Sequence, residues 1–375
     1  MYPIPFNRPY VTGKEWEHIQ AALAQGKLSS NGKYTQKCQH FFESRFGFKK
    51  TFLTHSCTQA LEMAALLLNL GPEDEVILPS YSYVSTANAF ALRGCRLVFA
   101  DSRPDYPGID EAKIENLISS RTRALVLVHY GGVACHMEPI LDLCKKYGLF
   151  LIEDAAAALD GYYLAKDGDA LPLGSMGDFA TFSFHETKNI SCGEGGLLVV
   201  NNPSFFKEAD LVWNRGTNRS EFEMGHVLSY EWVRLGSAFA PSEITAAWLW
   251  SQLENLAIIQ EKRAAVWNWY QANLKEILAT FFGQKPVIPL YARQNYNTYY
   301  LVMEHIQDRD ALIDFLKSRG ILSVSHYRCL HQSPYFKNRY QGKPLLQAEK
   351  YQERLLRLPV FADLDVKSLE NSLLS

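Results

Sequence analysis

The sequence is poor in the features that mark secreted, metal-binding and membrane proteins. Its seven cysteines are scattered, and no two of them form a C-x-x-C pair. An odd number of isolated cysteines disfavours both a disulfide framework and a zinc site. The longest apolar stretches are well short of a membrane span, and the first residues have neither the charged nor the apolar region of a signal peptide. We therefore expect a cytoplasmic protein with no metal and no membrane partner.

The chain also lacks a strong charge of either sign. The 38 Lys and Arg residues nearly balance the 40 Asp and Glu residues, which gives a net charge of −2. Because the two signs are interspersed, no extended positive face is expected, and nucleic acid is not an expected partner. At 375 residues, without internal repeats or a low-complexity linker, the chain is long enough for one large domain and one smaller domain.

Short apolar runs alternate with helix-like segments in the first half of the chain. The apolar runs, which we read as strands, are 75–78, 96–99, 124–128 and 150–152. Segments 86–92 and 137–146 read as helices between them. This alternation predicts a mainly parallel, doubly wound sheet. The run Gly196–Val200 follows the preceding strand too closely for a helical crossover, so an antiparallel strand is predicted there.

The second half of the chain predicts a smaller α/β unit. A long helical stretch with tryptophans runs from Ser242 to about Ala279. Beyond it, 299–302 and 322–325 read as strands around a helix at 308–319. We therefore predict a large domain over residues 1–255 and a small C-terminal domain over residues 256–375.

Lys188 is the most informative candidate for chemistry. It follows the β-rich run 179–182 and precedes the glycine cluster at 193–196. A lysine held at the end of a strand can reach a cavity, where desolvation makes its amine a Schiff-base nucleophile. A solvated loop lysine is the alternative interpretation.

A carboxylate at a second strand end makes the interpretation more specific. The continuous apolar run 149–152 is typical of a parallel strand covered on both faces, and Glu153 and Asp154 follow it. Ligands of open α/β sheets bind at this end of the strands. A lysine and an aspartate there are the two groups that pyridoxal phosphate (PLP) requires, since one forms the imine and the other keeps the pyridine nitrogen protonated. A helix N-cap or a loop salt bridge is the alternative for Asp154.

The start of an apolar helix is a candidate site for the cofactor phosphate. Residues 54–67 begin with small polar side chains and continue as an alanine-rich helix. Free N–H groups at a helix start, together with the hydroxyls of Ser56 and Thr58, make an anion site without a glycine-rich loop. Ser183 could add another hydroxyl. Plain N-capping is the alternative for Ser56 and Thr58.

Several strings in this sequence together resemble one enzyme family. EDAA at 153–156, SFHETKN at 183–189, GEGG at 193–196 and RGTNRS at 215–220 resemble the DegT-type nucleotide-sugar aminotransferases. These are PLP enzymes of the aspartate-aminotransferase-like fold, also called PLP fold type I. The strings PSYSYVSTANAF and HYGGVAC are further similar to the bacterial transaminases that act on TDP-4-keto-6-deoxy-D-glucose. The resemblance covers nearly the whole chain.

The resemblance implies a fold and a role for several residues. It implies an α/β protein whose large domain holds a mainly parallel, seven-stranded sheet. It assigns Lys188 to the Schiff base and Asp154 to the pyridine nitrogen. Tyr83 matches an aromatic ring that stacks on the cofactor, although an ordinary half-buried tyrosine is the alternative. The residues that match the phosphate-binding positions are Cys57, Thr58 and Ser183.

Other polar residues are candidates for reading the sugar substrate. The loop 215–220 combines two guanidinium groups with amide and hydroxyl donors, which suits a phosphate or a polyol. A solvated loop at a helix end fits the same pattern equally well. A later segment with two histidines and a tyrosine matches one that closes over the site in the family. The candidate substrate-binding residues are His185, Glu186, Arg215, Asn218, Arg219, His326, Tyr327 and His331.

The resemblance implies a ping-pong aminotransferase. L-glutamate would supply the amino group, and the 4-keto carbon of TDP-4-keto-6-deoxy-D-glucose would receive it. We expect TDP-4-amino-4,6-dideoxy-D-galactose as product, and the 4-amino-glucose epimer, a UDP sugar and a 3-keto sugar stay open. The related sugar dehydratases carry His in place of Lys188, and a PLP-binding regulatory protein is the rival from another class.

Two further implications concern assembly and a departure from the family pattern. The family resemblance implies a homodimer with each site at the subunit interface, to which Trp248-Leu249-Trp250 would contribute unless it is buried in its own core. Ala157 stands where many relatives have a Gln or His that reaches the phenolic oxygen of the cofactor. That hydrogen bond must be absent or come from another residue.

Overall fold

The computed structural model describes residues 3–373. Helices and strands alternate along most of this range. The α-helices are α1 (Glu15–Ala24), α2 (Lys33–Phe46), α3 (Cys57–Leu67), α4 (Val84–Ala91), α5 (Glu111–Ile114), α6 (Met137–Tyr147), α7 (Phe206–Trp213), α8 (Arg219–Glu223), α9 (Glu243–Glu254), α10 (Leu256–Asn273), α11 (Lys275–Thr280), α12 (Ile306–Ser318), α13 (Leu346–Arg354) and α14 (Val366–Leu373). The strands are β1 (Lys50–Thr54), β2 (Glu75–Pro79), β3 (Arg96–Ala100), β4 (Thr122–Val128), β5 (Phe150–Asp154), β6 (Tyr162–Leu164), β7 (Ala170–Pro172), β8 (Phe179–Ser183), β9 (Gly196–Val200), β10 (Gly283–Gln284), β11 (Ala292–Arg293), β12 (Tyr299–Met303) and β13 (Leu355–Leu358).

A seven-stranded sheet forms the centre of the fold. Its strand order is β1-β9-β8-β5-β4-β2-β3. All neighbouring pairs are parallel except those of β9, which runs antiparallel to both β8 and β1. The predicted mainly parallel sheet is therefore confirmed, and so is the antiparallel strand at 196–200. The four strands predicted between 75 and 152 correspond to β2, β3, β4 and β5.

Burial explains why these segments form strands and helices. Strands β2 and β9 are buried at every position, as expected for strands covered on both faces. In α6 the buried residues Met137, Ile140 and Cys144 are spaced by three and four, so one stripe of this helix faces the core. The helix ends where Gly148 adopts a left-handed conformation with φ 64°, which a glycine accepts without strain.

The helical stretch predicted from Ser242 to about Ala279 is confirmed, and it consists of the three helices α9, α10 and α11. At Asn255 the backbone leaves helical geometry, with φ −108° and ψ 11°, and the side chain donates a hydrogen bond to the carbonyl of Ser251. This bond ends α9 by satisfying one of its last carbonyl groups. A second break at Leu274 separates α10 from α11.

The C-terminal part has a small sheet and a core of its own. Strands β10, β12 and β13 form an antiparallel sheet, and the apolar cluster beside it draws mainly on residues between Val266 and Leu373. The strand predicted at 322–325 was wrong. Ile321 bridges to Ile4 and Val324 bridges to Arg357, so the segment changes partner before a ladder can form. The domain boundary at residue 255 stays a prediction.

Candidate active site

The strand ends of the central sheet surround one cavity. In the sheet register, Val128 pairs with Asp154, Asp154 with Thr181, and Ser183 with Gly196. The carboxyl ends of the parallel strands therefore meet at one edge, where ligands of open α/β sheets bind. The cavity at this edge has a volume of about 850 Å³. Ten of the residues predicted from the sequence line it: Ser56, Cys57, Thr58, Tyr83, Asp154, Ser183, His185, Lys188, His326 and Tyr327.

Asp154 ends β5 with its carboxylate in this cavity. The side chain is buried, and its oxygens accept hydrogen bonds from Thr86 Oγ1 at 2.7 Å and from the Ala156 N–H at 3.1 Å. Burial raises the pKa of Asp154, while these two bonds and the charge of Lys188 act in the opposite direction. Within the described residues no cationic nitrogen lies within 4 Å of this carboxylate. A cation supplied from outside the chain would therefore be stabilised there.

Lys188 lies in the loop between β8 and β9. Main-chain hydrogen bonds from Phe184 to Gly195 and from Glu186 to Gly193 close this loop. The side chain of the neighbouring Asn189 donates to the carbonyl of Asn295 at 2.8 Å and anchors the loop from the other side. Among the described residues, none forms a hydrogen bond or ion pair with Lys188 Nζ. A Schiff-base lysine requires a fixed main chain and an amine that is free to react in a cavity, and Lys188 has both.

The start of α3 is an anion site in the same cavity. Ser56 is the N-cap, and its hydroxyl accepts a hydrogen bond from the Gln59 N–H at 3.2 Å. No acceptor within the described chain takes the N–H groups of Cys57 and Thr58, which leaves them free for an anion. A Cβ at Gly196 would lie 2.4 Å from the nitrogen of Cys57, so only glycine lets β9 approach this turn. Burial raises the pKa of the Cys57 thiol, which keeps it neutral.

Aromatic side chains also line the cavity. Tyr83 precedes α4, and its exposed ring lies 6.0 Å from the ring of Tyr327. The adjacent His326 has a pKa lowered by burial and by the charge of Arg357. Tyr83, His326 and Tyr327 all line the cavity together with the strand ends.

Five of the predicted substrate-binding residues do not line this cavity. The side chain of Glu186 is exposed, and its main-chain carbonyl accepts a hydrogen bond from the Asn7 side chain at 2.9 Å. Arg215 is exposed with φ 67°, and Arg219 pairs with Glu223 one helical turn later at 2.8 Å. The other two residues that lie outside the cavity are Asn218 and His331.

Asn218 and His331 have structural contacts of their own. Asn218 is buried, with its side chain bonded to the main chain of Ser229 and Glu231. His331 is buried between Ser80, whose hydroxyl is 2.6 Å from Nδ1, and Glu349, whose carboxylate is 3.1 Å from Nε2. One chain therefore does not bring these five residues to the site, and their role in binding the sugar stays a prediction.

The structure also shows buried contacts that were not predicted from the sequence. His129 and Glu153 form a fully buried contact of 2.9 Å beside Asp154, and the main-chain N–H of His129 donates to the Asp154 carbonyl at 3.1 Å. The carboxylate of Glu153 also accepts main-chain N–H bonds from Gly174 and Met176. These contacts brace the strand end that carries Asp154. The string HYGGVAC was noted in the sequence, but the contact between its His129 and Glu153 could be recognised only from the register in which β4 pairs with β5.

The described residues hold no cluster of three His, Cys, Asp or Glu side chains arranged to bind a metal ion. Within residues 3–373, none of the helices is long and apolar enough to span a membrane. The predicted interface string at Trp248–Trp250 packs into the core of its own chain, with Leu249 buried and the two tryptophans half-buried.

Comparison with known proteins agrees with the geometry. The model of the DegT/DnrJ/EryC1/StrS aminotransferase family matches residues 9–371. The aminotransferase TlmJ from Streptoalloteichus hindustanus is 26% identical, with 99% of this chain and 97% of that chain covered and a TM-score of 0.86. PseC from Helicobacter pylori, an aminotransferase involved in the biosynthesis of pseudoaminic acid, is 26% identical over 98% and 96% of the two chains, with a TM-score of 0.86.

The sugar aminotransferase CalS13 from Micromonospora echinospora shares the fold at 21% identity, with 98% of each chain covered and a TM-score of 0.86. Because the family model covers nearly the whole chain, this protein belongs to the DegT/DnrJ/EryC1/StrS aminotransferase family.

Proposed function

We propose that this protein is a PLP-dependent aminotransferase that moves the amino group of L-glutamate to the 4-keto carbon of TDP-4-keto-6-deoxy-D-glucose. The observation that carries the enzyme class is the meeting of Lys188, Asp154 and the start of α3 in one cavity. The family supports aminotransfer as the reaction. The strings SFHETKN and RGTNRS support the choice of sugar, because they resemble strings of the transaminases that act on this substrate.

The donor groups of the cavity fit PLP. Lys188 has an unpaired amine for the imine, and Asp154 is a buried carboxylate without a cationic partner, as the pyridine nitrogen requires. The free N–H groups at the start of α3 would hold the phosphate, with the hydroxyls of Ser56, Thr58 and Ser183 nearby. Bound PLP would supply an electron sink for the bond that breaks at the amino-acid α-carbon.

The protein's own residues would then control the proton and the orientation of the substrates. Lys188 Nζ, once free, is the base that takes the α-proton of the donor and returns a proton during amination of the sugar. Asp154 would keep the protonated pyridine nitrogen stable, because its carboxylate is buried and has no cationic partner within the described residues. Tyr83 offers a flat ring face at the cavity, and Ala157 contributes only a methyl group there.

We also propose that the protein works as a homodimer, which would bring the loop 215–235 of one subunit to the site of the other. Apolar side chains are strongly exposed in the loop after α8: Met224, Leu228, Tyr230, Trp232, Val233 and Leu235. A contiguous set of exposed apolar side chains is typical of an interface. Such a contact would give Arg215 and Arg219 access to a nucleotide sugar, which they do not have within one chain.

The product identifies the reaction. Purified protein should convert glutamate and TDP-4-keto-6-deoxy-D-glucose into 2-oxoglutarate and a TDP-4-amino sugar, and the H3–H4 coupling in the NMR spectrum of this sugar reports the configuration at C4. We expect the small coupling of an axial amine, the galactose configuration. A large coupling would mean the glucose epimer, and no amination would reopen both the nucleotide and the position of the ketone.

A further inference from the structure

Arg357 is a cation in the cavity that neither the sequence nor the family comparison singled out. It lies in β13 and lines the cavity together with Lys188 and Asp154. Its Nη2 donates to Thr298 Oγ1 at 2.9 Å, whereas its Nε is buried without a hydrogen-bond partner. A buried N–H donor without an acceptor is costly, so an acceptor from outside the chain would be stabilised there.

The charge of Arg357 is also unbalanced. Among residues 3–373, no carboxylate oxygen lies within 4 Å of its guanidinium. The neighbouring Arg263 adds to the imbalance, because it is buried and donates only to the main-chain carbonyls of Tyr296 and Asn297. Burial and the charge of Arg357 lower the pKa of Arg263 to about 9. Two guanidinium groups without a carboxylate define a region where an anionic ligand is favoured.

Aromatic rings hold the Arg357 guanidinium in place. The ring centroid of Phe6 lies 5.5 Å from the guanidinium carbon, and that of Tyr327 lies 6.0 Å from it. Phe6 comes from the N-terminal segment, which the bridge between Ile4 and Ile321 attaches to the C-terminal part. A guanidinium fixed in this way is pre-organised for a planar anion such as a carboxylate.

A hydrogen-bond chain connects Arg357 to the loop of the reactive lysine. Thr298, which accepts from Arg357, donates to Asn297 at 2.8 Å, and Asn297 donates to Asn189 at 2.8 Å. Asn189 directly follows Lys188. The anionic group that must come close to Lys188 is the carboxylate of the amino donor, because it is bonded to the reacting carbon. The diphosphate of a nucleotide sugar is attached at C1, across the hexose ring from the reacting C4.

We propose that Arg357 binds the carboxylate of the amino donor in the first half-reaction and thereby selects an amino acid over a simple amine. The inference rests on the proposed function, since it names the residue that recognises one of its two substrates. The diphosphate of the sugar nucleotide is the competing source of an anion.

The test measures binding of glutarate, a dicarboxylate that lacks the amine and cannot react, to the PLP-loaded enzyme by calorimetry. Arg357→Gln should weaken glutarate binding about 10- to 100-fold, the typical effect of losing a charge-assisted hydrogen bond. Arg319→Gln is the matched control, because Arg319 is exposed in the same part of the chain and does not line the cavity. It should leave the Kd unchanged.

The two half-reactions separate a binding role from a structural one. In Arg357→Gln the apparent Kd for L-glutamate should rise about as much as that for glutarate, while amination of the keto sugar by the pyridoxamine-loaded variant stays within about threefold of wild type. An unchanged Kd for glutarate would overturn the inference. Equal losses in both half-reactions would mean that Arg357 has a structural role. A loss confined to the sugar half-reaction would mean that Arg357 binds the diphosphate. Each of these two results would also overturn the inference.

A structure of the wild-type enzyme with glutarate gives the same decision if Arg357→Gln does not fold. A carboxylate within hydrogen-bonding distance of the Arg357 guanidinium supports the inference, and glutarate bound elsewhere contradicts it. Failure of the proposed function is a distinct result, because it would be seen as no amination of the keto sugar by wild-type enzyme. Glutarate binding is measured without any sugar.

Discussion

Replacing Asp154 by asparagine removes the charge of this side chain and nearly preserves its shape. The amide oxygen of Asn can still accept one of the two hydrogen bonds that Asp154 makes, from Thr86 at 2.7 Å and from the Ala156 N–H at 3.1 Å. The Thr86 hydroxyl can turn to accept from the new amide group. The variant should therefore fold and keep some PLP.

Activity and stability should change in opposite directions in this variant. Losing one partner of a buried charge pair costs about 3–5 kcal/mol. If the transition state loses this stabilisation, the rate falls by a factor of roughly 10²–10⁴. Burial raises the pKa of Asp154 above its unfolded-state value. A carboxyl whose pKa is raised in the folded state lowers the free energy of unfolding as the pH rises, so this penalty is larger in alkaline than in acidic solution. Asparagine has no such penalty, and the cofactor-free variant should melt at or above the wild-type temperature.

Three measurements test this reasoning on the same preparations. They are kcat with glutamate, bound PLP from absorbance, and the melting temperature of the cofactor-free protein at pH 8. Asp142→Asn is the control, because it makes the same chemical change at an exposed position of α6 and should alter none of the three. A kcat for Asp154→Asn within a few-fold of wild type would refute the role of Asp154. A cofactor-free variant that melts well below wild type would refute the electrostatic argument.

Two further predictions concern the phosphate site and the subunit contact. Gly196→Ala would place a Cβ 2.4 Å from the Cys57 nitrogen, an overpacking that costs about 1–3 kcal/mol, so this variant should have a higher dissociation constant for PLP. The control Gly71→Ala, whose Cβ would meet nothing within 4 Å, should leave that constant unchanged. An unchanged PLP affinity in Gly196→Ala would show that the start of α3 does not hold the phosphate. Leu228→Asp, in the exposed loop after α8, should shift sedimentation from dimer towards monomer, while the same change at the equally exposed Leu290 should not. A Leu228→Asp protein that still sediments as a dimer would show that this loop is not part of the interface.

Local patterns were sufficient for the residues that directly follow strands. Asp154 and the loop of Lys188 could be placed because a continuous apolar run identifies a buried parallel strand, and the carboxyl ends of such strands share an edge. Ser56 was predictable for a similar reason, since a small polar residue before an apolar helical segment is a typical N-cap. These inferences needed only the positions of the strands and helices, not their exact neighbours.

Residues delivered by the chain ends could not be placed in this way. Phe6 reaches the cavity because the nearby Ile4 pairs with Ile321 through a single bridge, which leaves no periodic pattern. Arg357 reaches it from β13, whose ladder with β12 joins segments that are far apart in the sequence. Such single bridges also explain why the segment that follows Ile321 was wrongly predicted as a strand. Conversely, the pattern RGTNRS suggested a ligand site at Arg215, although the structure leaves this side chain exposed on its own chain. Sequence patterns show which chemistry is present but not which side chains reach the cavity.

The most direct test of the whole account is the identity of the lysine that carries the cofactor. Purified protein should be yellow, and borohydride reduction followed by proteolysis and mass spectrometry should find the pyridoxyl group on the peptide that contains Lys188. Lys188→Ala should lose both the label and transamination. A pyridoxyl group fixed to any other lysine, or transamination that survives in Lys188→Ala, would contradict the account at its centre.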